Sequence, residues 1–291
     1  MKTQQVKDLE ELEALAEAGQ AMQHQRELQK ARDSFEGFAE HCIKDEVSGK
    51  AITLAPLHKA WVGHMRFCLK HQLNCLILAP MGSGKTQLFG IALPVYLIGS
   101  NPNIRLKLIG LSDDSAKERL ASIRTYIAHD EDVKEVFPGL KPDEGREWTK
   151  HRLFVERTTN AKDASIDAKG VTSTGIGGRC DYLLADDLGD YNSVIAQPAK
   201  RDAINNTFKI VWLTRIEPTG SAIMIATRWH ERDVAGEILN DPHVRERWGC
   251  LIQRVSEDFE TIDQEVIIGD EYAEEYAETM EGFDIRLDTE G

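Results

Sequence analysis

"LILAPMGSGKTQLFG", residues 76–90, decides how the chain folds. An apolar run breaks at Pro80, passes through Gly82-Ser83-Gly84-Lys85-Thr86, and resumes as an apolar segment. That is the outline of a strand, a phosphate-cradling loop and a helix. Gly82 and Gly84 let the backbone curl tightly enough to turn its N–H groups inward around Ser83, where phosphate oxygens bind. The helix that follows presents its positive end to the same phosphates. In this arrangement Lys85 reaches the β- and γ-phosphates of a nucleotide and the Thr86 hydroxyl ligates Mg²⁺. Ala79 stands where the G-x-x-x-x-G-K-[ST] pattern has its first glycine. It is a strand-exit residue whose side chain makes no phosphate contact, so the phosphate-facing positions are intact.

Outward from this loop, short apolar runs alternate with helical patterns. Strands are expected at 74–79, 104–110, 152–156, 181–186, 221–227 and 250–255, with a helix from about Leu57 to His71 and another in "SDDSAKERLASIRTYIAHD". Such alternation predicts an α/β fold with a mainly parallel central sheet and helices on both faces. The polar ends of parallel strands converge on the ligand crevice. Here three of them finish in Gly/Lys/Thr, Asp/Asp and Thr/Arg.

"CDYLLADDLGD" is the second of those ends. An apolar strand delivers Asp186 and Asp187 at its tip. In the additional-strand class of P-loop NTPases the first such acid holds the Mg²⁺ shell and the second orients the attacking water. The second is usually Glu; Asp187 is one methylene shorter. The glycine-rich "GVTSTGIGGRC" precedes this strand, and its Arg179 could sense phosphate if the strand is short. At the third end, "GSAIMIATRWHERDVAGEIL", Thr227 could sense the γ-phosphate and Arg228 could bind phosphate. His230 reads as a turn histidine, since no second His lies at helical spacing.

The bulk numbers bound the rest. The 291 residues, 41% hydrophobic and 29% charged, suffice for one sizeable core. No apolar run reaches the roughly 18–20 residues that span a bilayer. The N-terminus is too acidic for a signal peptide, so a cytoplasmic chain with no membrane partner is expected. Five cysteines, Cys42, Cys68, Cys75, Cys180 and Cys250, form no C-x-x-C pair and have no His at zinc spacing; they read as incidental buried thiols. The net charge of −14 sits in the tail: residues 256–291 hold 14 acidic residues and one basic, against 35 and 34 over residues 1–255. The charge therefore neither supports nor excludes a nucleic-acid partner. Three segments are expected: a helical arm over 1–33, with Leu9, Leu12, Leu15 and Ala16 at helical spacing; the nucleotide domain over 34–255; and an acidic, solvated or weakly ordered extension over 256–291.

GSGKT, "VFPGL" (136–140), "GGRCDYLLADD" (177–187) and "TRWHERDVAGEIL" (227–239), in that order, resemble the large terminase subunits of tailed phages, ATP-driven motors that package DNA into procapsids. The resemblance covers roughly residues 34–250. It implies a P-loop ATPase with a small helical lid, using ATP and Mg²⁺. Lys85 and Thr86 become the phosphate-loop pair, Asp186 the Mg²⁺ acid, Asp187 the catalytic carboxylate and Thr227 the coupling residue. His58, in Pro56-Leu57-His58, occupies the place of an adenine-contacting motif. The implied partners are double-stranded DNA, a portal protein, a small terminase subunit and further copies of the chain in a ring. Two departures stand out. Pro80, Met81 and Ser83 supply no loop arginine, so Arg119 or Arg124 is a candidate, reaching a neighbouring subunit. The tail is also too short for a ribonuclease-H-like nuclease domain, and nuclease activity is not expected in this chain. Two alternatives stay open: a nucleotide-gated docking module with little turnover, or another DNA-dependent P-loop ATPase.

Overall fold

The computed structural model describes residues 2–175, 177–255 and 262–288; for 2–14, 255 and 262 only the backbone is described. In chain order the elements are α1 (Lys2–Asp33), α2 (Phe35–Cys42), α3 (Pro56–Lys70) and β1 (Asn74–Leu78). A π-helical stretch, Thr86–Ala92, then runs into α4 (Leu93–Ser100), followed by β2 (Leu106–Gly110), α5 (Asp113–His129) and α6 (Glu131–Val136). Next come β3 (Arg152–Leu153), β4 (Ile166–Gly170), β5 (Cys180–Asp186), α7 (Pro198–Thr207) and β6 (Ile216–Ala226). The chain closes with α8 (Val234–Asn240), α9 (Pro242–Arg245), β7 (Trp248–Val255), β8 (Ile262–Ile267), α10 (Asp270–Thr279) and β9 (Arg286–Asp288).

Among the described residues nine strands form one sheet in the order β3-β4-β2-β5-β6-β1-β7-β8-β9. The six from β4 to β7 are mutually parallel, and β3 and β8 join their edges antiparallel. The inner strands are apolar on both faces, as strands covered by helices on each side must be. Ile77, Leu108, Leu184, Ile223 and Ile225 pack against α1 to α5 and α10. Leu76, Leu78, Leu183, Ala222 and Met224 face α7 and α8. Local chemistry sets the helix starts: Ser34, Ser112, Asp130 and Asp233 each accept a backbone N–H of the first turn. Pro56 and Pro198 occupy first turns, where their missing N–H is not needed.

The end of the helical arm is fastened to the body. Leu28 and Ala31 are buried, and the Arg32 guanidinium donates to the carbonyl of Glu135 and to that of Val136, the first residue of the VFPGL segment. Leu15 is exposed; Leu9 and Leu12 lie outside the residues whose side chains are described.

Three expectations change. The strand expected over 152–156 is two residues long and antiparallel, and β4, with its alternating Ile-Asp-Ala-Lys-Gly, takes the parallel position beside β2. The expected boundary at 255 falls where the sheet continues: β8 pairs with β7 over six residues, and β9 adds beside β8. Among the described residues the tail is therefore part of the sheet rather than a solvated extension. Among its described residues Val266, Ile268, Tyr276 and Met280 are buried, while Glu265 pairs with Arg254 and Arg286, and Glu275 with Lys70.

This packing predicts that Met280→Ala lowers unfolding free energy in urea by about 2–5 kcal/mol, the range for emptying a buried methionine site. A residue of a solvated tail would change it by less than about 0.5 kcal/mol.

Candidate nucleotide site

β1, β5 and β6 end at one edge of the sheet because they are parallel and nearly in step: Leu78 lies opposite Ala226, and Asp186 opposite Ile225. β6 lies between β1, which carries the glycine loop, and β5, which carries the acids. Gly82 and Gly84 both adopt positive φ, 75° and 80°, conformations open to glycine and strained for other residues. The Ser83 hydroxyl donates to the Pro80 carbonyl at 2.7 Å and folds the loop back on itself.

Lys85 is buried beneath this loop. Its Nζ donates to the Thr227 hydroxyl at 2.8 Å and to the Pro80 carbonyl at 3.3 Å, and lies 3.3 Å from the Asp187 carboxylate. Asp187 has a φ of 46°, uncommon outside glycine and a backbone strain of the kind that gathers at functional sites. Two bonds hold it there: its N–H donates to the Ile225 carbonyl at 3.0 Å, and its Oδ1 accepts from the Thr227 N–H at 2.7 Å. Lys85, Asp187 and Thr227, one from each strand end, thus form one connected group.

Asp186 forms the other half. It is 1% exposed, its Oδ1 accepts from the Thr86 hydroxyl at 3.2 Å, and Arg119 donates to its Oδ2. Burial pushes its carboxyl above the usual range, against the opposing pull of the Arg119 guanidinium; the neighbouring Asp187 charge adds to the rise. A carboxylate and a hydroxyl converging at a phosphate loop are the hard oxygen donors that suit Mg²⁺.

An open cavity of about 580 Å³ adjoins the loop, within the range of small-ligand sites. Gly82, Gly84, Lys85 and Thr86 line one side, and Val47, Ile52, Leu54 and Ile91 give it an apolar wall. His58 stands at its rim. Its Nδ1 accepts from the Ala55 N–H, which leaves the proton on Nε2 to donate to the Ser83 carbonyl at 2.9 Å. His58 therefore also positions the loop backbone.

Other expected residues lie elsewhere. Arg179 precedes β5, seven residues long, and so sits at the opposite sheet end from Asp186, roughly 20 Å along the strand. Arg124 stacks over Trp148, 5.8 Å from its ring, away from the site. Arg119 is engaged within its own chain, its second contact being the Ser115 carbonyl at 2.9 Å. Arg228 is exposed and makes no side-chain bond to a described residue. The turn after it is held by Asp233, whose carboxylate accepts N–H groups from Trp229, His230 and Gly236. His230 completes that turn, accepting from the Arg232 N–H at 2.9 Å, with Arg201 of α7 at its other ring nitrogen.

Sequence reasoning missed Gly90. A Cβ there would lie 2.9 Å from Asp186 Oδ2 and 3.3 Å from the Thr86 methyl, so the glycine makes room for the acid. The available signal was a glycine inside an apolar helical run. It also missed a group away from this site: His64, Cys68 and Cys75 converge within 4.8 Å, although the cysteines have no His at zinc spacing in the sequence. The i, i+4 spacing on a helix, closed by a residue of the next strand, is not a zinc signature in the linear sequence.

The class that these elements define is a mixed α/β fold with a mainly parallel central sheet, with a glycine loop following one of its strands. Among solved structures, the large terminase of bacteriophage HK97 superposes with a TM-score of 0.51 at 14% identity, over 78% of this chain and 44% of that one. A DEAD box protein from the hyperthermophile Methanococcus jannaschii gives 0.38 at 15% identity, over 77% and 56%. The chain spans less than half the length of the terminase, and the likeness is one of fold. No protein-family model and no curated protein matches the sequence. No helix among the described residues is long and apolar enough to cross a membrane.

Two outcomes are expected. If Thr86 and Asp186 hold Mg²⁺ for a nucleotide, Gly90→Ala should weaken binding of a fluorescent ATP analogue by at least about tenfold, because the added methyl displaces both groups. For Asp186, a folded-state pKa raised above the ordinary 3.8 means its contribution to stability is full below that value and is lost as pH rises through the raised one. The unfolding free energy of wild type relative to Asp186→Asn should therefore fall as pH rises above about 4.

Proposed function

We propose that the chain is an ATPase of the additional-strand P-loop class and the motor domain of a DNA-packaging terminase. The observation that carries the ATPase reading is the Lys85–Thr227–Asp187 group beside the Thr86–Asp186 pair at one sheet edge. The strand between β1 and β5 supports the class, since it is the added strand for which that class is named. The packaging role rests on the motif resemblance and on the fold shared with a phage terminase.

ATP would place its phosphates in the ring of loop N–H groups and its base against the apolar wall of the adjoining cavity. Lys85, already a buried cation, would exchange its present partners for phosphate oxygens. Thr86 and Asp186 would hold Mg²⁺, which neutralises charge on the phosphates. Asp187, released from Lys85 but still fixed by the Thr227 N–H, would orient the attacking water and accept its proton. The bond to the leaving ADP oxygen breaks as water bonds to the γ-phosphorus. Thr227 touches both Lys85 and Asp187 and begins the turn that Asp233 braces, so a change at the phosphate would pass into α7 and α8. DNA would be gripped through its backbone rather than its bases. A portal protein, a small subunit and neighbouring copies in a ring belong to the same reading, as does location in the host cytoplasm.

A docking module with little turnover is the second reading. The Lys85–Asp187 pair favours it, because a lysine held by the catalytic acid resists engaging phosphate.

Steady-state ATP hydrolysis separates the two. Wild type should turn over with Mg²⁺ and accelerate with duplex DNA, while Lys85→Ala and Asp187→Ala lose at least about 100-fold. Turnover surviving both substitutions would remove the catalytic assignment. Tight ATP binding without turnover would select the docking module.

A further inference from the structure

Away from the nucleotide site, beneath α10, three metal-binding side chains face one another in the core. His64 and Cys68 are one helical turn apart on α3, and Cys75 is the second residue of β1. All three are fully buried, and their ligand atoms lie within 4.8 Å of one another. Cys68 Sγ and His64 Nε2 are 3.6 Å apart. Bonds of about 2.3 Å to sulfur and 2.0 Å to nitrogen, set at a tetrahedral angle, put those two atoms roughly 3.5 Å apart.

The surroundings suit a ligand set. The His64 Nδ1 is 2.9 Å from the buried Tyr276 hydroxyl of α10. An Nδ1–H donated to that oxygen fixes the ring and leaves the Nε2 lone pair directed at Cys68, the outer-shell arrangement common for metal-bound histidines. Gly249 of β7 lies opposite Cys75, and a Cβ there would come 2.5 Å from Cys68 Sγ and 3.2 Å from the His64 ring. The neighbouring strand thus leaves clear the space in which the three side chains meet.

We propose that His64, Cys68 and Cys75 bind a thiophilic metal ion, with Zn²⁺ favoured by charge. Two thiolates and a neutral imidazole around Zn²⁺ make a net neutral unit, which can be buried without an unpaired charge. Soft thiolates and imidazole select zinc or Cu⁺ over Mg²⁺ and Ca²⁺. Three protein ligands leave one position for a small exogenous ligand. All three ligands lie within twelve consecutive residues, so the ion can join α3 to β1 before α10 closes over it, and its binding energy then adds to folding. The site is independent of the nucleotide reading and would persist if that reading failed.

The test uses the full chain, purified without chelator or polyhistidine tag from zinc-supplemented medium. Elemental analysis should find about one zinc per folded chain. Lys85→Ala, at the nucleotide site, and Cys250→Ala, whose thiol is on the other face of the sheet, should retain it. Cys68→Ser and Cys75→Ser should lose it, and Tyr276→Phe should weaken affinity about 10–100-fold. If the cysteine variants do not fold, refolding wild type with Co²⁺ decides the matter, because thiolate ligation produces an intense near-ultraviolet charge-transfer band. Folded wild type that retains neither zinc nor copper and shows no such band would overturn the proposal, leaving a hydrogen-bonded thiol cluster.

Discussion

The structure depends on holding charge inside the C-terminal edge of its sheet. Lys85 and Asp186 are buried, and Asp187 and Arg119 are largely so. Isolated, each such charge would carry a desolvation penalty of several kcal/mol. They are tolerated because each meets an opposite charge: Lys85 meets Asp187, and Asp186 meets Arg119. Strand order brings them together. Had β1, β5 and β6 not ended in step, the lysine of one and the acids of another would be stranded in an apolar core.

That arrangement is not one that maximises stability. Asp187 keeps a left-handed backbone, Asp186 is pushed towards its neutral form, and Gly90 leaves a helix without a side chain so that the acid can fit. Strain, a displaced pKa and a gap at one place mark a site built to receive something else. On the proposed reading, phosphate would meet the lysine and the loop, and Mg²⁺ the acid and the threonine. Both would replace internal ion pairs with bonds to a ligand, so binding should rearrange the edge of the sheet rather than merely fill a hole.

The His64–Cys68–Cys75 cluster shares this logic on a smaller scale. Polar atoms in a core must satisfy one another or hold something. Here they lie under Tyr276, in a helix that the composition marks as acidic and solvent-facing. One buried face of that helix is what makes the tail part of the body.

The sequence by itself determined the phosphate loop, the acidic pair, the third strand end and the alternation that makes a parallel sheet. Each is a local pattern: glycines at the required spacing, an apolar run ending in carboxylates, a period of strand and helix. Tertiary structure alone decided which arginine reaches Asp186, since Arg119 and Arg124 lie on different faces of α5 and more than one turn apart along it. It decided that Arg179 stands at the wrong end of a seven-residue strand. It also decided that the described part of the acidic tail belongs to the sheet, because backbone pairing with β7 needs few apolar residues. Contacts between residues distant in sequence leave no periodic trace in a single chain, and those contacts set the charges of the site.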